Sequence, residues 1–239
     1  MASVLLDGVP TTFHRSGSGP VVVVPALNLE WSDYPLEPLL ERFTVVTVSP
    51  RGFLGSGRLA DAAYSGEQVT SDIQRVLDHL DVETYAALGY SLNGAVASSL
   101  ALGNPQVSAV VCGGFPTAAS YAGLAASRRQ QLAERRSDPV AWAETLEALD
   151  PAALLAFWEF VDALPSGTLA TGPVCPVWSW WGGADPLFDA FGGLAAHRAA
   201  MDRLGRPYRE LPGLDHGEAL AQARRLLSDI ADWLEPLLV

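Results

Sequence analysis

The sequence predicts an α/β fold, a mostly parallel sheet with helices on both faces. Three observations predict it. After an N-terminal hairpin signal, short β-branched or aromatic runs alternate with helical patterns, as in a sheet covered on both sides. The 239 residues, 49% of them hydrophobic, suit one domain with a substantial core. Between Phe115-Pro116 and Cys175-Pro176 the alternation stops, and helical patterns follow one another without a strand.

Each element has a local reason. Val4-Leu5-Leu6 and Thr11-Thr12-Phe13 flank Asp7-Gly8, a dipeptide suited to a tight hairpin turn. Strands are expected near 21–24, 44–49, 84–88, 108–113, 176–181 and 207–211. Helices are expected from Glu67 to Leu80, over Ala95–Leu102, from Leu194 to Leu204, and after His216. The interruption holds the charged, amphipathic Ser127–Arg136 and two segments that begin with proline, Pro139–Leu149 and Pro151–Leu164. Proline suits a first helical turn, where its missing N–H is not needed. The expected layout is a core of residues 1–116 and 173–239 with a helical insertion at 117–172.

Composition narrows the function classes. The net charge of −12 argues against nucleic acid and anionic membrane surfaces as partners and leaves a small-molecule substrate. All 15 basic residues are Arg, which excludes lysine Schiff-base chemistry and points to a GC-rich, bacterial genome. Cys112 and Cys175 form neither a disulfide framework nor a zinc motif, and the serine chemistry read below is expected to need no metal and no cofactor. The N-terminus has no basic n-region or long apolar h-region, and no apolar run approaches a membrane span. A cytoplasmic location is expected.

Gly89-Tyr90-Ser91-Leu92-Asn93-Gly94 carries the chemistry. It joins the apolar run Tyr85–Leu88 to the small-residue run from Ala95, a strand-to-helix turn. A serine on such a turn is forced outward, with backbone N–H groups close to its oxygen, as in a nucleophile elbow. The usual pattern has glycine where Asn93 stands. Asn93 is expected to fill space and hydrogen-bond locally, leaving the neighbouring N–H groups in place. A serine hydroxyl needs a base, and the base needs an acid partner. Of the four histidines, His14 lies in the N-terminal strand region, and His79 and His197 lie on helices. His216 follows the strand-like Tyr208–Leu211 and the turn Pro212–Asp215, so it can reach a serine. Asp185 sits on the glycine-rich loop after Pro176–Trp181, where it also reads as a helix N-cap. Asp215 and Asp189 are its rivals.

In this order Ser91, Asp185 and His216 resemble the α/β-hydrolase family, and the resemblance covers nearly all of the chain. Val21–Leu27 is similar to the family's third strand and oxyanion loop, with Pro25-Ala26 where His-Gly is common. Val45–Gly57 resembles its fourth strand and D-x-R-G-x-G-x-S turn, with Ser49 in place of Asp and one residue inserted after Phe53. Asp72 lies in a helix like the one before the family's elbow strand. The resemblance implies an α/β-hydrolase fold in which 117–172 is a helical cap insertion. It implies a triad of Ser91, Asp185 and His216. Oxyanion donors would be the N–H of Leu92 and one from Ala26 or Leu27. Tyr90, Trp31, Trp142, Phe157, Trp158 and Phe160 are candidates for the substrate pocket, or they seal the cap against the core. The expected activity is hydrolysis of a small to medium, largely apolar ester, lactone or thioester. A cyclase, acyl transferase or lyase on the same fold is the alternative, and a non-enzymatic binding relative is a third.

Overall fold

A computed structural model describes residues 1–28, 36–60 and 63–238 of the chain. Strands β1 (Ala2–Leu6) and β2 (Val9–Gly17) form the expected antiparallel hairpin. Asp7 and Gly8 both adopt positive φ, as a two-residue turn of this hand requires. β2 pairs antiparallel with β4 (Thr44–Ser49). β3 (Val21–Pro25), β4, β5 (Tyr85–Tyr90), β6 (Val107–Gly113), β7 (Val177–Gly182) and β8 (Tyr208–Leu211) pair in parallel. The strand order is β1-β2-β4-β3-β5-β6-β7-β8. The chain leaves β3 for β4 on one side and leaves β5 for β6 on the other, so the crevice of this sheet opens between the carboxyl ends of β3 and β5.

Alternation along the strands feeds two apolar layers. Val23, Val46, Val48 and Ala87 face one layer, which takes in α2 (Gln68–His79) and α3 (Leu92–Leu100). Val22, Val24, Val45, Ala86 and Leu88 face the other. There they meet the short α1 (Glu37–Leu40), and α9 (His216–Ala221) and α10 (Arg224–Leu234) beyond the histidine. The single expected last helix is therefore two. α3 starts three residues earlier than the small-residue run suggests, because the helix begins directly at the elbow.

Between β6 and β7 the chain runs through α4 (Leu124–Arg136), α5 (Pro139–Ala148), α6 (Pro151–Ala163) and the short α7 (Thr168–Thr171). Asp138 caps α5 by accepting from Val140 N–H and Ala141 N–H, and Asp150 caps α6 by accepting from Ala152 N–H. The proline starts thus coincide with acidic caps. Asp150 N–H also donates to the Gly52 carbonyl, 2.6 Å, and Leu54 N–H to Ala148, 2.8 Å, which ties the α5–α6 corner to the loop after β4. α8 (Gly193–Leu204) fills the span between β7 and β8. Among the described residues no helix is long and apolar enough to cross a membrane.

One buried charge cluster locks the loop after β4 to α2. Asp72 has a fully buried side chain and accepts from Arg51 N–H, Arg51 Nε, Arg51 Nη2 and Gln68 Nε2. Without Asp72, Arg51 keeps only the exposed Asp7, 3.0 Å from Nη1, and breaking a buried pair in this way costs about 3–5 kcal/mol. Asp72→Ala is expected to lower the unfolding free energy at pH 7 by that amount in urea titration. A loss of under about 1 kcal/mol would show that Arg51 is satisfied without it.

Candidate active site

The elbow is built by a close approach. A Cβ on Gly89 would lie 2.1 Å from the Asn93 carbonyl oxygen, so only glycine lets β5 and α3 pass here. The turn drives Ser91 to φ 56° and ψ −124°, a backbone region that side chains with Cβ rarely occupy. Such strain persists only where the surroundings over-determine it. Ser91 N–H donates to Gly113, 2.8 Å, and the Ser91 carbonyl accepts from Gly94 N–H, 2.9 Å.

Asp185 and His216 meet across two neighbouring loops. Asp185 Oδ2 lies 2.7 Å from His216 Nδ1. Its other oxygen, Oδ1, accepts from Leu187 N–H at 2.9 Å and caps the 3₁₀ turn Pro186–Phe191. One carboxylate therefore serves both as cap and as imidazole partner. With Nδ1 facing a carboxylate, the neutral ring keeps its proton there and presents Nε2 as an acceptor. Gly182 allows the two loops to touch, since a Cβ there would sit 2.2 Å from the Leu214 carbonyl oxygen. Ala184 N–H donates to that carbonyl, 2.9 Å.

The rival acids and bases are accounted for. Asp215 forms a capping box with Glu218 at the start of α9, and Asp189 is exposed. His79 is exposed on α2. His197 is buried among aromatic rings, 4.7 Å from Trp181 and 5.0 Å from Phe188.

Ser91 lines three cavities, of about 540, 440 and 40 Å³. His216 lines the second with it. Among the described residues no hydrogen bond joins Ser91 to His216, a distance that commonly tightens only in a substrate complex. Trp158 lines the first cavity with Leu149 and Leu154. The cavity is not purely apolar, because Arg128, Gln131, Arg135 and Glu144 also line it. None of these polar residues stood out in the sequence, since each reads as a solvated helix face. Among the described residues no cluster of His, Cys, Asp and Glu could hold a metal ion.

Several expected residues are placed elsewhere. Phe157 is fully buried against Trp158 and Phe160, and it lines none of the three cavities. Trp142 lies under the Arg136 guanidinium on α5, also outside them. Tyr90 belongs to the layer shared with α9 and α10, where its ring packs 5.5 Å from Trp180 and 5.0 Å from the His216 ring. Its hydroxyl donates to the His216 carbonyl, 2.6 Å. Tyr90 thus touches both the backbone and the ring of His216, and it lines none of the three cavities. Trp31 lies outside the described residues.

The backbone N–H groups expected to face an oxyanion have different present partners. Ala26 N–H donates to the Val48 carbonyl, 2.9 Å, and extends the β3–β4 pairing. Leu27 N–H donates to Asn93 Oδ1, 3.0 Å. Asn93 is fully buried, and its bond is not local: it crosses to a residue 66 positions earlier. Leu92 N–H has no hydrogen-bond partner among the described residues.

Two measurements follow from this geometry. Loss of a buried hydrogen bond that strands its partner costs about 1–3 kcal/mol, and each kcal/mol shifts Tm by about 2–4 °C at this chain length. Asn93→Ala is expected to lower Tm by about 3–10 °C in calorimetry, and an unchanged Tm would sink the bridging role. Burial pushes the His197 pKa down to about 4 from 6.5, and its Nε2 has no partner. Below pH 6.5 the unfolded chain gains a proton that the folded site refuses until about pH 4, so stability falls over that window. The loss from this group is expected to reach about 3 kcal/mol. Urea titrations at pH 7 and pH 4 should show a smaller loss for His197→Leu than for the natural protein. Equal losses would remove this account.

Comparison with known proteins agrees with the architecture. The family described as alpha/beta hydrolase fold matches residues 19–172. The chain is 29% identical over 110 residues to 2-hydroxymuconate semialdehyde hydrolase of Pseudomonas sp. (strain CF600), a match spanning 43% of this chain but only 38% of that relative. Among solved structures it is similar to a carboxylesterase of Nitrososphaera gargenis, with a TM-score of 0.76, 16% identity, and 99% and 98% of the two chains covered. The enol-lactonase of Burkholderia xenovorans LB400 superposes with a TM-score of 0.71 at 19% identity, covering 98% of this chain and 99% of that one. At such identities these structures speak for the fold alone. With a matched segment that takes in β3 to β6 and the elbow, the chain belongs to the α/β-hydrolase fold family.

Proposed function

We propose that the protein is a serine hydrolase that cleaves a small to medium ester, lactone or thioester through an acyl-enzyme on Ser91. The observation that carries this reading is the 2.7 Å Asp185–His216 pair facing a cavity that the strained Ser91 also lines. His216 Nε2 takes the proton from Ser91 Oγ as Oγ attacks the substrate carbonyl. The tetrahedral intermediate collapses, and the proton passes from Nε2 to the leaving group. Water then attacks the acyl-enzyme by the same route in reverse roles. Asp185 fixes the tautomer and stabilises the imidazolium. The α4–α6 region acts as a cap over this end of the sheet.

Leu92 N–H is the first oxyanion donor, since among the described residues it is unengaged at the start of α3. Leu27 N–H is the second, and it must exchange Asn93 Oδ1 for the developing oxyanion. Each such donor is worth roughly 3 kcal/mol of barrier. The exchange itself supports a second reading. A hole with one donor already occupied slows attack by water and suits a cyclase, acyl transferase or lyase. Product analysis with a turned-over substrate separates the two.

A fluorophosphonate or sulfonyl fluoride is expected to add one adduct to the protein, at Ser91, by intact mass and peptide mapping. Ser91→Ala should abolish the adduct and lower kcat by roughly 10⁴-fold or more, and His216→Ala should do comparable damage. His79→Ala should leave the rate within about twofold, as surface changes usually do. An adduct on another serine would overturn the assignment.

A further inference from the structure

Helix α4 carries four arginines, and three of them have evident partners. Arg129 pairs with Glu159, Arg135 lies 3.7 Å from Glu144, and the exposed Arg136 covers the Trp142 ring. Arg128 differs. It lines all three cavities that Ser91 lines. No carboxylate lies within ion-pair distance of it among the described residues. Its guanidinium sits 5.4 Å over the Trp158 ring, which fixes the plane of the group. Its one hydrogen bond among the described residues runs from Nη1 to Gln131 Oε1, 2.6 Å. The opposite edge, formed by Nε and Nη2, is unused, and Nε is buried without a partner.

That edge is the one with which arginine grips a carboxylate through two parallel N–H···O bonds. A buried, unpaired N–H on a cation is disfavoured unless something completes it. Electrostatics point the same way. Arg42, Arg51, Arg75 and Arg198 are held above the ordinary arginine range by acidic side chains, whereas burial alone pulls Arg128 below it. The chain as a whole carries a net charge of −12. Around the 540 Å³ cavity the balance reverses, with Arg128 and Arg135 against Glu144. An acidic protein repels anions at long range, so recognition of one requires a local cation of this kind.

We propose that Arg128 binds a carboxylate on the substrate, so that the natural substrate is an anionic ester, lactone or thioester rather than a wholly apolar one. This rests on the serine-hydrolase reading above. The carboxylate accepts from Nε and Nη2 of Arg128 while the scissile carbonyl lies at Ser91. The stacked Trp158 ring holds the fork in place for that purpose. In the competing account Arg128 only clamps α4 onto α6 through the ring.

The test compares p-nitrophenyl hemiglutarate with p-nitrophenyl butyrate. The natural protein is expected to favour the hemiglutarate by at least tenfold in kcat/KM. Arg128→Gln should reduce that ratio at least tenfold, chiefly through the KM of the hemiglutarate. Arg128→Lys, which keeps the charge but not the fork, should fall between and guards against a folding defect in the glutamine variant. Arg129→Gln, on the outer face, should leave the ratio unchanged. In parallel, glutarate should raise the Tm of Ser91→Ala but not of Ser91→Ala/Arg128→Gln. Hydrolysis of both esters without preference for the acid would overturn the proposal and leave the hydrolase reading standing. Arg128-dependent glutarate binding without hydrolysis of either ester would uphold the carboxylate site and sink the hydrolase reading. Absence of both hydrolytic preference and glutarate stabilisation would overturn the proposal as well.

Discussion

The approach of β5 to α3 at Gly89 sets the geometry of everything around it. With no room for a Cβ facing the Asn93 carbonyl, the backbone must turn at once, and Ser91 takes up the left-handed strain. The turn leaves Leu92 N–H unengaged and aims the Asn93 side chain at the loop after β3. That aim matters because the β3–β5 pairing reaches only Val23 and Ala87. Pro25 has no N–H to extend it. The amide of Asn93 therefore does what a further rung of the ladder would do, fastening the β3 loop to the elbow by a side chain.

The parts of the molecule that depend on local pattern were legible in the sequence. The Val21–Val24 and Tyr85–Leu88 runs are strands because β-branched and apolar residues fill both faces of a covered sheet. The proline starts of α5 and α6 were legible too, as was the placement of Asp185 just after β7 and of His216 just after β8, although His216 is the first residue of α9 and not part of a loop. What remained hidden is what depends on distance in sequence. Asn93 looked like a local filler because nothing near it names Leu27 as its partner. Tyr90, beside the serine, looked like a pocket residue, but β-strand alternation turns it to the other face. Arg128 sits in a charged helix, and only the packing of Trp158 beneath it distinguishes it from Arg129 next door.

Electrostatics are distributed by layer. Most ion pairs link exposed or half-exposed side chains, such as Arg42 with Asp232 and Arg75 with Asp7, and exposed pairs contribute little to stability. The buried Arg51–Asp72 cluster is different in kind, since it fixes the loop after β4, which accepts from Asp150 N–H at the Gly52 carbonyl and donates Leu54 N–H to the Ala148 carbonyl. The position of the helical insertion over Ser91 thus depends on a charge pair in the layer on α2's side of the sheet.

The hydrogen bond from Tyr90 to the His216 carbonyl spans 126 positions in the chain. During synthesis the serine leaves the ribosome long before the segment that completes its surroundings, and folding proceeds from the N-terminal side. Until β7, β8 and α9 dock, a nascent chain carries the serine without its imidazole or the peptide group that Tyr90 will hold. On the mechanism proposed above, reactivity at Ser91 would report on docking of the segment from β7 onward, and a covalent probe of that serine would serve as a clock for the final step of chain assembly.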